Sequence, residues 1–172
     1  MLVAYASAAG STAGIAERIA RRIESSGHAV ACRPADAADL TGVDALVLGS
    51  AVHSMAWLPA ASDALRQAAA AGVPVWCFSV GAVQPRGRLT RLMARQEARR
   101  VEAGFPPGAV VRDHQVFRGV VDMRGVAWWG RVFYRLVSGP PGDRRDWAAI
   151  DRWAVRVAAE LNEGSHRRRS SG

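Results

Sequence analysis

LVAYASAAGSTAGIAERIARRI, residues 2–23, decides the fold. It opens on five residues, Leu2 to Ala6, that suit a buried strand. It closes on a helical period in which Ile15, Ile19 and Ile23 recur every four residues while Glu17, Arg18, Arg21 and Arg22 take the outer face. Between them stand only small residues and hydroxyls: Ser7, Ala8, Ala9, Gly10, Ser11 and Thr12. A strand that turns through such a loop into an amphipathic helix, here from about Thr12 to Ser26 and closed by Gly27, is the first half of a βαβ unit.

Outward from this unit the alternation repeats. A second strand is expected at Ala29 to Cys32 and a third at Ala45 to Leu48, followed by a loop over Gly49 to Trp57. Pro59 suits the first turn of a helix reaching about Ala71, with Gly72 as its stop. A fourth strand follows at Pro74 to Ser79, then a loop over Val80 to Gly87 and a charged helix over Arg88 to Ala103. A fifth strand falls within Ala109 to Val121. The last helix runs from Asp146 to Leu161, with Trp147, Ile150, Ala154, Val157 and Leu161 on one face and Asp146 or Asp143 at its cap. Strands alternating with helices predict an α/β fold: a five-stranded parallel sheet with helices on both faces.

The chain's 172 residues are 49% hydrophobic, 22% charged and 7% aromatic. That balance suits one globular domain whose core needs neither metal nor disulfide. The expected domain is 1–162, with an aromatic and basic insertion at 118–145 and a disordered basic tail at 163–172 that contains Arg167, Arg168 and Arg169. No run approaches the roughly 18 to 20 apolar residues of a membrane-spanning helix. The N-terminus lacks the basic head of a secretory signal, so a cytoplasmic protein is expected. Cys32 and Cys77 share no CxxC spacing and read as reduced, buried thiols; no metal site is expected. Net charge is +8 and all 23 basic residues are arginine, a pattern that GC-rich coding produces on its own. Arginines scattered over several helices, without aromatic stacking strands, speak against a nucleic-acid partner.

In a parallel α/β sheet ligands lie outside the carboxyl ends of the strands, where strand order reverses. The loops after the first, third and fourth strands qualify. Residues 7–12 can wrap a terminal phosphate with backbone N–H groups and the hydroxyls of Ser7, Ser11 and Thr12, because unpaired amides and the helix dipole favour an anion there. The loop lacks the GK[ST] ending of a Walker A motif and the GxGxxG dinucleotide pattern. It also lacks the acidic residues at the end of the first strand that a phospho-accepting receiver domain needs. The bland reading of the same residues is a plain helix cap.

YASAAGST resembles the phosphate loop of the flavodoxins, roughly [ST]-x-[ST]-G-x-[ST] after the first strand, with Ala9 where a hydroxyl is common. The resemblance implies a flavodoxin-like sheet in the order 2-1-3-4-5 and non-covalent FMN as cofactor. It sets the phosphate against Ser7, Ala8, Ala9, Gly10, Ser11 and Thr12. The isoalloxazine would lie beside Ser50, Ala51, Val52, His53 and Ser54, with His53 where many flavodoxins carry a stacking tryptophan and Trp57 as a nearby substitute. Ser79, Val80, Gly81 and Ala82 would approach the ring edge mainly through backbone. Ala82 stands where acidic residues are often found, and a less negative rim makes the anionic reduced flavin easier to reach. On the residues alone, His53 reads equally as a solvent-facing loop residue and Trp57 as packing at a helix start.

Within that superfamily the chain is most similar to the menaquinone-dependent protoporphyrinogen IX dehydrogenases, from Leu2 to about Asn162. FRGVVDMRG, AWWGRVFYRLVSGPPGD and RDWAAIDRWAVRVAAEL carry the likeness, while Ser138 to Gly142 depart from the family's usual turn. The resemblance implies an FMN-dependent oxidoreductase of heme biosynthesis that oxidises protoporphyrinogen IX and passes the electrons to a quinone. A flavodoxin-type electron carrier docking a protein partner, or a flavodoxin-fold binding domain without flavin, are the alternatives. Arg118, Arg124, Arg131 and Arg135 could pair with substrate propionates or with anionic headgroups at the inner membrane face. Trp128, Trp129 and Phe133 could wall the flavin or dock at that interface. The same stretch, Val126 to Val137, also reads as a short helix packed on the sheet. No acid/base pair is apparent, and Asp113 and His114 read as surface residues of an edge strand.

Overall fold

The computed structural model describes residues 1–81, 96, 98–121, 142, 143 and 145–170. Strand β1 (Leu2–Ala6) is central. It pairs in parallel with β2 (Ala31–Pro34) on one side and β3 (Leu46–His53) on the other, so that Val3 lies opposite both Cys32 and Val47. A short strand, β4 (Ala56–Trp57), folds back antiparallel on the end of β3. Beyond β3 come β5 (Val75–Gly81) and the edge strand β6 (Val111–Arg118), which completes the order β2-β1-β3-β5-β6. This is the expected order of five parallel strands, with β4 as an added sixth. Val3, Ala4, Leu46, Val47, Leu48 and Val75 have no exposed surface, as befits a parallel sheet covered on both faces.

Helix α1 (Ser11–Glu24) and the last helix, described through Ser170, cover one face. Ile15, Ile19 and Ile23 pack there with Val3, Val47, Phe78 and Trp153. Each buried isoleucine contributes about 1.5–3 kcal/mol. The other face carries α2 (Pro59–Ala70) and Val101 of the helical residues 98–103, where Ala61, Ala64, Leu65 and Ala68 meet Leu46, Leu48 and Cys77. The last helix, α3 (Trp147–Ser170), is tied to α1 by a forked bond from Arg18 to Asp151, both contacts 2.7 Å. Its cap is Asp146, whose Oδ1 accepts from the backbone N–H of Ala149 at 2.9 Å. Because β1 leads through α1 to β2 while β3 leads through α2 to β5, strand order reverses between β1 and β3.

Three expectations change. The loop expected over Gly49 to Trp57 is mostly strand, since Ser50 and Ala51 pair with Ser79 and Val80 and the residues after them pair with β4. Small polar residues read as loop until a neighbouring strand supplies their backbone partners. Strand β2 begins at Ala31 rather than Ala29, set by its pairing with Leu2. The last helix runs on through Gly164 to Ser170, across the expected tail, because arginines are good helix formers and extend a helix already nucleated by packing. Ala82, most of the charged helix expected from Arg88, and the segment holding Arg124, Trp128, Trp129, Arg131, Phe133 and Arg135 lie outside the described residues.

Candidate functional site

The first loop is held from within and open at its end. Gly10 caps α1 in the left-handed region, φ 81°, where a side chain is disfavoured. Its N–H donates to Ser7 Oγ at 3.0 Å, which closes the turn. No side chain caps the helix and no acidic residue stands in its first turn, so the amides of that turn keep their partial positive charge. Thr12 is fully buried. Among the described residues its Oγ1 is the buried side-chain polar atom without a hydrogen-bond partner. An orphaned buried hydroxyl costs about 1–3 kcal/mol, so its persistence beside an uncapped helix end fits a group that supplies the missing acceptor. Ala8, Ala9 and Gly10 are exposed, and Ser7 and Ser11 partly so.

The second expected loop is a β-hairpin. Val52 pairs with Trp57 and His53 with Ala56, leaving Ser54 and Met55 as the turn, with φ 51° and 62°. A two-residue turn with both φ positive suits Asn-Gly, so Ser54 and Met55 hold a conformation their side chains disfavour. The anchor lies below. Ser50 Oγ accepts from Leu58 N at 3.0 Å and donates to the carbonyl of Ala51 at 2.9 Å. Trp57, 8% exposed, packs on Phe105 at a ring separation of 4.9 Å and donates its indole N–H to Ser79 Oγ at 2.8 Å.

These contacts fix what three side chains do within the fold. Ser50 and Ser79 are buried and their hydroxyls serve internal bonds, so neither offers an oxygen to a ligand. Trp57 takes the packing role rather than the stacking one. His53 and Ser54 remain exposed at the hairpin tip, Ala51 and Val52 are partly covered, and Val80 is buried beside the half-covered Gly81.

The site's third side comes from the end of β6. A Cβ added at Gly119 would stand 2.8 Å from Val80 Cγ1 and 3.2 Å from Ser11 Oγ, so the backbone there rests on both of the other loops. Next to it β7 (Val120–Val121) pairs antiparallel with β8 (Gly142–Asp143). Both ends of the aromatic and basic insertion therefore stand beside the first loop. Arg145 forks onto Asp143, lies 4.4 Å over the Trp147 ring, and reaches within 2.6 Å of where a Gly14 Cβ would be. The guanidinium holds the Asp143 carboxyl down at about 2. Arg118 is exposed at the end of β6, opposite Gly81.

Sequence reasoning missed His114. Its ring is almost buried, Nε2 2.8 Å from Ser79 Oγ and Nδ1 2.8 Å from Glu102 Oε1. Asp113, on the opposite side of the strand, accepts from Trp153 Nε1 at 2.7 Å. Both residues are on an edge strand, as expected, yet neither is a free surface group, because the flanking helices bring them partners far away in sequence. Burial pushes the Cys77 thiol well up, which keeps it protonated and inert.

A cleft of about 680 Å³ lies elsewhere, lined by residues that precede the strands, Met1, Ala45, Pro74 and Val110, with Trp76 bonded to Glu160 at its wall. It is at the amino ends of the strands, away from all three loops.

The sequence matches the flavodoxin domain family over residues 2–146. No curated protein matches it. Among solved structures it is similar to flavodoxin 2 of Bacillus cereus, at 20% identity, covering 93% of this chain and 97% of that one with a TM-score of 0.53. A flavodoxin from the domain Archaea gives 16%, 94% and 97% with a TM-score of 0.51. Rubredoxin oxygen:oxidoreductase of Desulfovibrio gigas gives 14% and a TM-score of 0.53, the likeness covering 94% of this chain but 36% of that larger one. At such identities the structures speak for the fold, and the sequence match speaks for the family. The uncapped helix end, the unpartnered Thr12 hydroxyl and the reversal of strand order all suit the cofactor of that family, so this chain belongs to the flavodoxin domain family and its cofactor is FMN.

Proposed function

We propose that this protein is an FMN-dependent oxidoreductase that takes electrons from a bulky anionic substrate, protoporphyrinogen IX by resemblance, and delivers them to a quinone. The observation that favours an enzyme over a plain carrier is the rooting of the insertion. Its two ends pair as β7 and β8 next to Gly119, which rests on Ser11 and Val80, and this supports a reading in which the aromatic and basic segment serves the site formed by those loops. The net charge of +8 points the same way, since it suits a carboxylate-bearing substrate.

In this reading the amides of the first turn of α1 and the hydroxyls of Ser11 and Thr12 hold the phosphate of FMN. The hairpin tip at His53 and Ser54 and the end of β5 at Val80 and Gly81 flank its ring. FMN, when bound, supplies the two-electron chemistry between substrate and quinone. Each round removes two electrons and two protons from the porphyrinogen and delivers both to the quinone, which leaves as quinol. Arg118 and the arginines of the insertion orient substrate carboxylates through forked bonds. Quinone access brings the protein to the anionic inner membrane face as a peripheral partner, and among the described residues no helix is long and apolar enough to cross a membrane.

Protein loaded with FMN and mixed anaerobically with protoporphyrinogen and a menaquinone analogue tests this. Porphyrin fluorescence rising together with quinol is expected. Inactivity toward both, with fast electron exchange to a protein partner, would make it a carrier. Folded protein that takes up no FMN would overturn both.

A further inference from the structure

Four side chains from four places in the chain form one hydrogen-bonded line. It runs from Glu102 through His114 and Ser79 to Trp57, each link 2.8 Å. The chemistry of the groups fixes its direction. An indole N–H only donates, so Ser79 Oγ accepts from Trp57 and has its own proton to give. His114 Nε2 then accepts that proton's bond, which places the imidazole proton on Nδ1, facing the Glu102 carboxylate. One neutral tautomer satisfies every atom in the line.

Such a line resembles a serine–histidine–carboxylate triad, but the Ser79 hydroxyl is buried and already bonded on both sides, to Trp57 and His114, so it is committed within the fold. Nor is it a proton wire to the flavin, because it ends on an indole, which cannot pass a proton on. What it can do is hold. Trp57 belongs to β4, the short strand that returns from the strained Ser54–Met55 turn. Fixing the indole fixes the hairpin against that strain.

We propose that His114, Ser79 and Glu102 are positioning residues for the flavin: they clamp Trp57, and the clamp sets the hairpin tip that flanks the isoalloxazine. The proposal rests on the flavin reading of that hairpin. The clamp is sensitive to protonation. Once His114 carries two N–H groups, both Nε2 and the Trp57 indole must donate to Ser79 Oγ, and the serine proton must leave the line in a buried place. The groups facing His114 are Glu102 from the helical residues 98–103, Cys77 and Ser79 from β5, Trp57 from β4 and the Phe105 ring. Of these Glu102 carries the charge. Asp113 turns to Trp153 on the other face, and Arg100 to Met55 Sδ.

The test uses the full chain, isotope-labelled, with and without FMN. The Trp57 indole N–H resonance, assigned by its loss in Trp57→Phe, and the His114 ring resonances are followed from about pH 5 to about 8.5, where histidine titrates. Both are expected to move with one midpoint, and the FMN dissociation constant to rise severalfold as His114 protonates. Ser79→Ala should leave His114 titrating while Trp57 stops following it. His114→Gln, which keeps a polar partner for Ser79, should hold the neutral-pH affinity and abolish its pH dependence, whereas His114→Phe should lose affinity throughout. Glu102→Gln changes only a half-exposed side chain and leaves the core intact. It should loosen the hold on His114 Nδ1 and weaken the coupling of Trp57 to His114 by less than Ser79→Ala does. A Trp57 resonance that ignores His114, or a flat FMN affinity beside intact coupling, overturns the proposal. Coupling that persists in protein unable to bind FMN overturns the flavin reading instead.

Discussion

The first loop and the β3–β4 hairpin stand at the same end of the sheet and draw on the same small residues and serines, yet they commit their hydroxyls in opposite ways. In the hairpin, Ser50 and the underlying Ser79 turn inward, each satisfied by partners within the fold. In the first loop the helix end has no side-chain cap and Thr12 Oγ1 is buried without a partner. A region whose polar atoms are all matched holds itself in place. A region with an unmatched atom and a concentrated positive dipole keeps bonding capacity for a group from outside. Residue type alone does not separate the two cases; the accounting of partners does.

Breaking the anchored region should produce the largest effect on stability. Trp57→Ala removes a buried ring together with its bond to Ser79 and should cost about 3–5 kcal/mol in urea unfolding. A loss below about 1 kcal/mol would mean that the hairpin holds itself without the indole. The open region should respond the other way round. Thr12→Val deletes the orphaned hydroxyl, so folding should stay level or improve. FMN affinity measured by calorimetry should fall by about 1.5–3 kcal/mol, the worth of a hydrogen bond to a charged group. Equal losses in both measurements would erase the contrast between the regions.

A smaller effect sharpens the view of strain. Met55→Gly relieves a side chain at φ 62° and should raise the unfolding free energy, measured in urea, by about 0.5–1 kcal/mol. The smallest effect lies beside the first loop. Asp143 is held at about 2 by Arg145, below the ordinary carboxylate value of 3.8. A depressed carboxyl contributes stability that is present above its unfolded value and is lost as pH falls toward the folded one. Because the Asp143 carboxylate is well exposed and screened by water, its share is under about 1 kcal/mol. Acid unfolding of Asp143→Asn should therefore match the parent near pH 2 and differ by that small amount above pH 4.

Much of this molecule is legible in its residues. The four-residue spacing of Ile15, Ile19 and Ile23 foretells α1 and its buried face, and the alternation of strand and helix foretells five parallel strands. The loop of small residues between β1 and α1 points to an anion because local chemistry makes it one. The strand at Ser50 to His53 escaped notice for the same reason, since serine and alanine carry no strong strand preference and their pairing partners lie some thirty residues on. His114 was illegible too. An imidazole on an edge strand looks like a surface group until Glu102 and Ser79 arrive from other elements.

What the sequence by itself determined is therefore what depends on neighbours in the chain: helix periods, the order of elements, the small-residue turn from β1 into α1, and membership of the family. The tertiary structure alone decided which hydroxyls are matched and which is orphaned, where the hairpin folds back, and that Glu102, His114, Ser79 and Trp57 form one line. Along that line the contacts join residues 12 to 35 positions apart, and a hydrogen bond is set by position in space, which spacing along the chain does not encode.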